Sequence, residues 1–212
     1  MRFVGVLVAA LVAASSPAPA ETSQSPYVQR LRQLAQLQTL NAELLSRDSA
    51  TAVLQALCDR HDPEAPRVRA LRIETPDSPQ AAAGARRELG AAANEPIRLR
   101  RVELMCGDVV LSKADNWYLP GRLTTEMNSA LNTTETPFGV VVAPLRFQRR
   151  TLSSRLLFNP LPAGWEARGE LAFDTPATPP PQVLQHRALL QTPDGRPFSL
   201  LVETYTDAVL VP

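Results

Sequence analysis

Histidine and cysteine are scarce in this chain: two of each in 212 residues, His61 and His186, Cys58 and Cys106. Two isolated histidines, with no cysteine or carboxylate at ligand spacing, argue against a metal site. They also leave little material for a Ser-His-Asp hydrolase. Net charge is nearly absent as well, formally +1, so the electrostatic footprint of a nucleic-acid binder is missing. Beyond the first twenty residues no apolar run is long enough to span a bilayer. There is no G-x-S-x-G, no P-loop and no Rossmann glycine fingerprint, and there is no internal repeat.

What is present describes one exported domain. Hydrophobic residues make up 44% and charged residues 20%, the range of a soluble globular protein. The length suffices for a single domain with a sizeable core. Twenty prolines are many for this length, and they cluster at 160–181, which predicts a long irregular loop. At the N-terminus Arg2 is followed by an apolar run, Phe3 to Ala14, and then by Ala18-Pro19-Ala20. That is the pattern of a secretory signal peptide over 1–20, cleaved near Ala20; the alternative is an uncleaved N-terminal anchor. A single periplasmic or secreted domain over 21–212, acting as a monomer, is the expectation. In an oxidising compartment Cys58 and Cys106 can form one disulfide. The alternative is two buried thiols packing as small apolar residues.

Periodicity gives the elements. Apolar positions at 28, 31, 34, 37, 40, 44 and 45 predict a helix over 27–47. Asp48-Ser49 offers a cap for a second helix, Ala50–Asp59. A strand is expected over 67–74 and a short helix over 80–89. Ile97–Cys106 and Val109–Leu119, separated by Gly107-Asp108, read as a hairpin. Arg122–Leu131 is expected to be helical, and Val140–Leu145, Arg149–Phe158 and Trp165–Phe173 to be strands. Leu184–Gln191 and Phe198–Thr206 flank Asp194-Gly195, a strong hairpin turn. Hairpins without βαβ crossovers imply an α+β fold, an antiparallel β-sheet with flanking helices.

Charges placed on strands are the candidate chemistry. Glu203 lies in the apolar, β-prone run Ser199-Leu200-Leu201-Val202-Glu203. Such a carboxylate is either a structural ion pair or a general acid/base on a rigid strand. Arg100 and Arg101 are adjacent on a strand and so point to opposite faces. Arg100 shares its face with Val102 and Leu104, and Arg101 shares its face with Glu103. A guanidinium beside apolar neighbours suits capture of a carboxylate, and the one beside Glu103 can be satisfied locally; the alternative for either is a solvated charge at a sheet edge. The stretch Asn132-Thr133-Thr134-Glu135-Thr136-Pro137-Phe138-Gly139 is either a plain turn feeding a strand or a place where backbone meets a ligand.

In order, Glu43–Thr51, the hairpin Leu99–Asp108, Tyr118-Leu119-Pro120, Thr136-Pro137-Phe138-Gly139, Arg149-Arg150 and the closing hairpin with Glu203 resemble the chorismate lyase family, and the match runs over most of 43–206. The resemblance implies a chorismate lyase-like fold. It implies cofactor-independent elimination of pyruvate from chorismate to give 4-hydroxybenzoate, with Glu203 as the catalytic carboxylate. Phe138 and Gly139 would meet the ligand through backbone, and Arg150 would be a further contact. The family's carboxylate-holding arginine falls on Arg100 or on Arg101, according to the length assigned to the Cys106–Asp108 turn; strand alternation favours Arg100. A methionine that packs on the family's ligand is Ala50 here, and the family's basic residue near Asn116 is absent. The alternative function is a non-catalytic periplasmic binder of a small aromatic carboxylic acid on the same fold.

Overall fold

In the computed structural model the described residues are 24–61, 64 and 66–210. The expected signal peptide, 1–20, lies outside them. Six strands form one antiparallel sheet: β1 (Arg69–Arg72), β2 (Arg98–Cys106), β3 (Val109–Tyr118), β4 (Gln148–Leu156), β5 (Gln182–Gln191) and β6 (Pro197–Thr206). Their order across the sheet is β1-β2-β3-β6-β5-β4. The β2–β3 and β5–β6 hairpins turn at Gly107 and Gly195, both with positive φ (56° and 81°), where a side chain would be strained. The α+β class read from the hairpins is the observed architecture. No helix among the described residues is long and apolar enough to cross a membrane.

Two helices cover one end of the sheet. Helix α1 (Pro26–Ser46) starts at Ser25, whose side chain accepts from the Val28 amide, and buries Leu37, Leu40 and Leu44 at three- and four-residue spacing. Helix α2 (Ala50–His61) starts at Ser49, whose hydroxyl accepts from the Ala52 amide at 3.2 Å. Its Val53, Leu54, Leu57 and Cys58 pack with Val102, Leu104 and Tyr205 of the sheet. Cys58 is joined to Cys106 by a disulfide, Cα–Cα 5.8 Å, which ties α2 to the end of β2. Helix α3 (Pro79–Glu88) covers the opposite face, where Ala85 packs with Trp117, Leu189 and Leu200.

Two expected strands take other forms. Val140–Leu145 is not extended: Phe138–Val141 is a single helical turn, α5, and Ala143–Leu145 a 3₁₀ turn. It follows α4 (Thr125–Thr133), and Pro137 caps it. Pro137 and Pro144 have no amide to give a ladder, while a one-turn helix does not need one from its first residues. Phe138 and Val142 are then buried with Tyr118 and Leu201. Trp165–Phe173 carries only a 3₁₀ turn at Trp165–Ala167. Side chains of α1 hold this loop instead: Arg30 donates to the carbonyls of Pro160 and Thr175 and lies 4.1 Å from the centre of the Phe173 ring.

Candidate functional site

Glu203 sits in the middle of β6, between Ala114 of β3 and His186 of β5, on the face covered by α1 and α2. It is buried, so its charge needs a partner inside the protein. Arg149, at the start of β4, supplies it: Nη2 lies 2.6 Å from Oε2 of Glu203, and the two side chains are 2% and 7% exposed. The Tyr205 hydroxyl donates to the same oxygen at 3.3 Å. Burial opposes the Arg149 charge, but Glu203, Tyr205 and Asp48 outweigh it and raise the guanidinium's pKa above its ordinary value. Burial, then the Glu203 charge, push the Tyr205 phenol well above its usual range. Behind the pair, the His186 ring lies edge-on to Tyr205 and its Nε2 is 2.8 Å from Oδ1 of Asn41 on α1. Burial, then the Arg149 charge, lower the His186 pKa to about 4, against the opposing pull of Glu203. This histidine is neutral at pH 7.

The pair lines a cavity of about 30 Å³. Its roof is the start of α2, Asp48 to Thr51, and the start of α5, Phe138 and Gly139. Asp48 is fixed by the Arg149 amide, which donates to its Oδ1 at 2.8 Å. Asn116, Leu201 and Val102 contribute from the sheet. The first-turn amides of a helix have no partner within it, so α2 presents donors at this roof. Arg149 adds a buried Nε with no hydrogen-bond partner. Glycine at 139 is where the two roof elements close up. A methyl group there would meet Ser49 Oγ at 3.4 Å and Thr51 Oγ1 at 3.5 Å. Outside that seam lies an open groove of about 640 Å³, which shares Ser49 and Thr51 with the cavity and adds Gln55, Arg69, Thr136 and Val140.

Of the residues singled out in the sequence, the structure brings Glu203, Phe138 and Gly139 to this one cavity. Arg100 faces the same side of the sheet but is spent elsewhere. Its Nε donates to Leu131 O at 3.2 Å and its Nη2 to Thr136 O at 3.1 Å and Thr134 O at 3.5 Å. It therefore clamps the loop that leads to Phe138. Arg101 points to the other face and makes a two-bond pair with Asp115, at 2.6 and 2.7 Å. Arg150 is exposed and stands opposite Leu189, away from the cavity. Its neighbour Arg149 occupies the place expected of it. The reading of the sequence missed Arg149, Asp48 and Asn116. Asp48 carried a signal, since it adjoins the Ser49 cap. Arg149 carried only the alternation rule, which cannot choose a face without the register. Among the described residues no group of His, Cys, Asp and Glu could hold a metal ion.

No family model matches the chain. It is 45% identical over 219 aligned positions to the uncharacterized protein y4mC of Sinorhizobium fredii, an alignment covering 99% of this chain and 92% of that protein. Among solved structures it is similar to the effector domain of PhnF from Mycobacterium smegmatis, with a TM-score of 0.44 and 13% identity, over 76% of this chain and 90% of that one. A GntR-family transcriptional regulator from Enterococcus faecalis gives a TM-score of 0.39 and 10% identity, over 66% and 94%. The possible transcriptional regulator YydK from Bacillus subtilis gives 0.39 and 15% over 67% of this chain, which spans 59% of the length of YydK. At 45% identity over nearly its whole length, the chain belongs to the family of y4mC from Sinorhizobium fredii.

Proposed function

We propose that this domain binds a small aromatic carboxylic acid, without turning it over, in the cleft roofed by α2 and α5. One observation carries the reading: the Arg149–Glu203 pair, the start of α2 and Phe138–Gly139 converge on a single buried cavity. The unspent Arg149 Nε and the amides at the start of α2 suit a carboxylate. The hydrocarbon of Val102, Leu104 and Leu201 suits a ring. A cavity of about 30 Å³ holds a water or two, whereas benzene needs about 150 Å³. Entry therefore requires α5 to part from α2 at the Gly139 seam, toward the outer groove.

Binding rather than turnover is favoured by the state of Glu203. Its Oε2 already accepts from Arg149 and Tyr205. Withdrawing it as a base leaves a buried guanidinium unpaired, at a cost of about 3–5 kcal/mol. A second reading, elimination of pyruvate from chorismate with Glu203 as proton acceptor, is favoured by the shared lining of Glu203 and Phe138–Gly139. The two separate in one experiment. The purified protein is incubated with chorismate while 4-hydroxybenzoate is followed by absorbance, and 4-hydroxybenzoate is then titrated calorimetrically. Saturable heat without product supports the binder, product supports the lyase, and neither removes both.

Export by the 1–20 segment is part of the same proposal. The Cys58–Cys106 bridge supports an oxidising compartment. The mass of the protein recovered from periplasm tests it: a chain beginning near Glu21 is expected, and an intact Met1 in the cytoplasm overturns it.

A further inference from the structure

A second charged concavity lies away from the Glu203 cavity, where β1 and β2 meet the end of α4. Its volume is about 260 Å³, and Arg72, Arg98 and Arg100 line it with Tyr118 and Asn132. These three arginines share one face of the sheet: Arg72 stands opposite Val102, Arg98 and Arg100 alternate with Leu99, and Arg98 stands opposite Tyr118. Arg100 is 4% exposed and its Nη1 is buried with no hydrogen-bond partner. Its Nε and the Nη2 of Arg72 both donate to one carbonyl, Leu131 O, in the last turn of α4.

Charge is not balanced here. Among the described residues none of the three forms an ion pair. Two carboxylates also line it, Glu74 and Asp77. Asp77 accepts from the Trp117 indole at 2.8 Å, and its charge bears on Arg101, not on Arg100. Arg101, which also lines it, is already neutralised by Asp115. The negative end of α4 offers roughly half a unit charge. Four arginines against Glu74, Asp77 and the Asp115 partner of Arg101 leave an excess of one positive charge, and Arg72 and Arg100 face the end of α4. Burial, then repulsion from Arg72, hold the Arg100 pKa down at about 10. A group so placed gains from an anion more than an exposed arginine does.

We propose that Arg72, Arg98 and Arg100 form a second binding site, for a compact oxyanion carrying two negative charges, of which phosphate is the type. Arg98 is the specific handle, because it is exposed and its side chain makes no hydrogen bond or ion pair among the described residues. The test is calorimetric titration of the full chain with inorganic phosphate at constant ionic strength, with acetate as the singly charged comparator. Saturable phosphate binding is expected, at least tenfold tighter than acetate. R98A should weaken it at least tenfold, while E203Q leaves it within twofold, which separates this site from the cavity proposed above. Absence of saturation by phosphate overturns the proposal. So does an R98A protein that binds as the wild type does, or acetate that binds as tightly as phosphate.

Discussion

Arg149 and Glu203 meet at 2.6 Å although their strands are not neighbours, because β5 runs between β4 and β6. A buried pair of this kind is weak evidence of net stability, since desolvation offsets much of the attraction, but removing one partner is costly. E203A and R149A should each lower the unfolding free energy by about 3–5 kcal/mol. The double variant R149M/E203L should recover most of that loss, while binding nothing in the cavity. Urea denaturation of the four proteins checks it. Additive losses in the double variant would mean that the two residues are not energetically coupled.

His186 makes stability depend on pH in a defined window. Its folded pKa, about 4, is below the ordinary 6.5. The unfolded chain therefore takes up a proton that the native state refuses as pH falls from about 6.5 to about 4, and stability drops over that interval. The gap corresponds to about 3 kcal/mol at its full extent. Carboxylates also titrate at the lower end, so the comparison is differential. H186F should be less stable than wild type at pH 7, having lost the Asn41 contact, but its urea midpoint should fall less steeply between pH 6.5 and pH 5. Parallel curves would show that His186 is not the titrating group.

The disulfide closes a loop of 48 residues. In the chain-entropy account such a closure stabilises by about 4 kcal/mol. C58S/C106S should lose about 2–5 kcal/mol. It also removes the covalent hold on α2, the helix whose first turn roofs the cavity. Binding in the cavity should therefore weaken in this variant even at temperatures where it stays folded, which calorimetry with 4-hydroxybenzoate reads.

Much of this fold was legible because its signals are local. The hairpins announce themselves through Gly107 and Gly195, and α1 through the spacing of Leu37, Leu40 and Leu44. Glu203 stood out as a carboxylate in an apolar strand. The missed features depend on what no short window holds. Whether Arg149 or Arg150 faces the helices depends on the register of β4 with β5, which shifts at Thr151/Ser153. The partners of Arg100 are main-chain carbonyls of a distant loop, and no side-chain pattern reports them. The valines at 140–142 carry a strand composition, but Pro137 and Pro144 on either side, together with burial of Phe138 and Val142, favour a turn of helix.

Gly139 gives a test of the entry route that leaves the polar floor untouched. Its position admits a methyl group only by contact with Ser49 and Thr51, at 3.4 and 3.5 Å. G139A should therefore fold with a stability within about 1 kcal/mol of wild type, its helical conformation favouring alanine over glycine. The added methyl nevertheless closes the seam between α5 and α2, through which, on the proposed function, a ring reaches Arg149. The expected signature is a slower association with 4-hydroxybenzoate, at least tenfold by stopped-flow, with a smaller effect on dissociation once the roof has opened. An unchanged association rate would place the entrance elsewhere on the cavity wall.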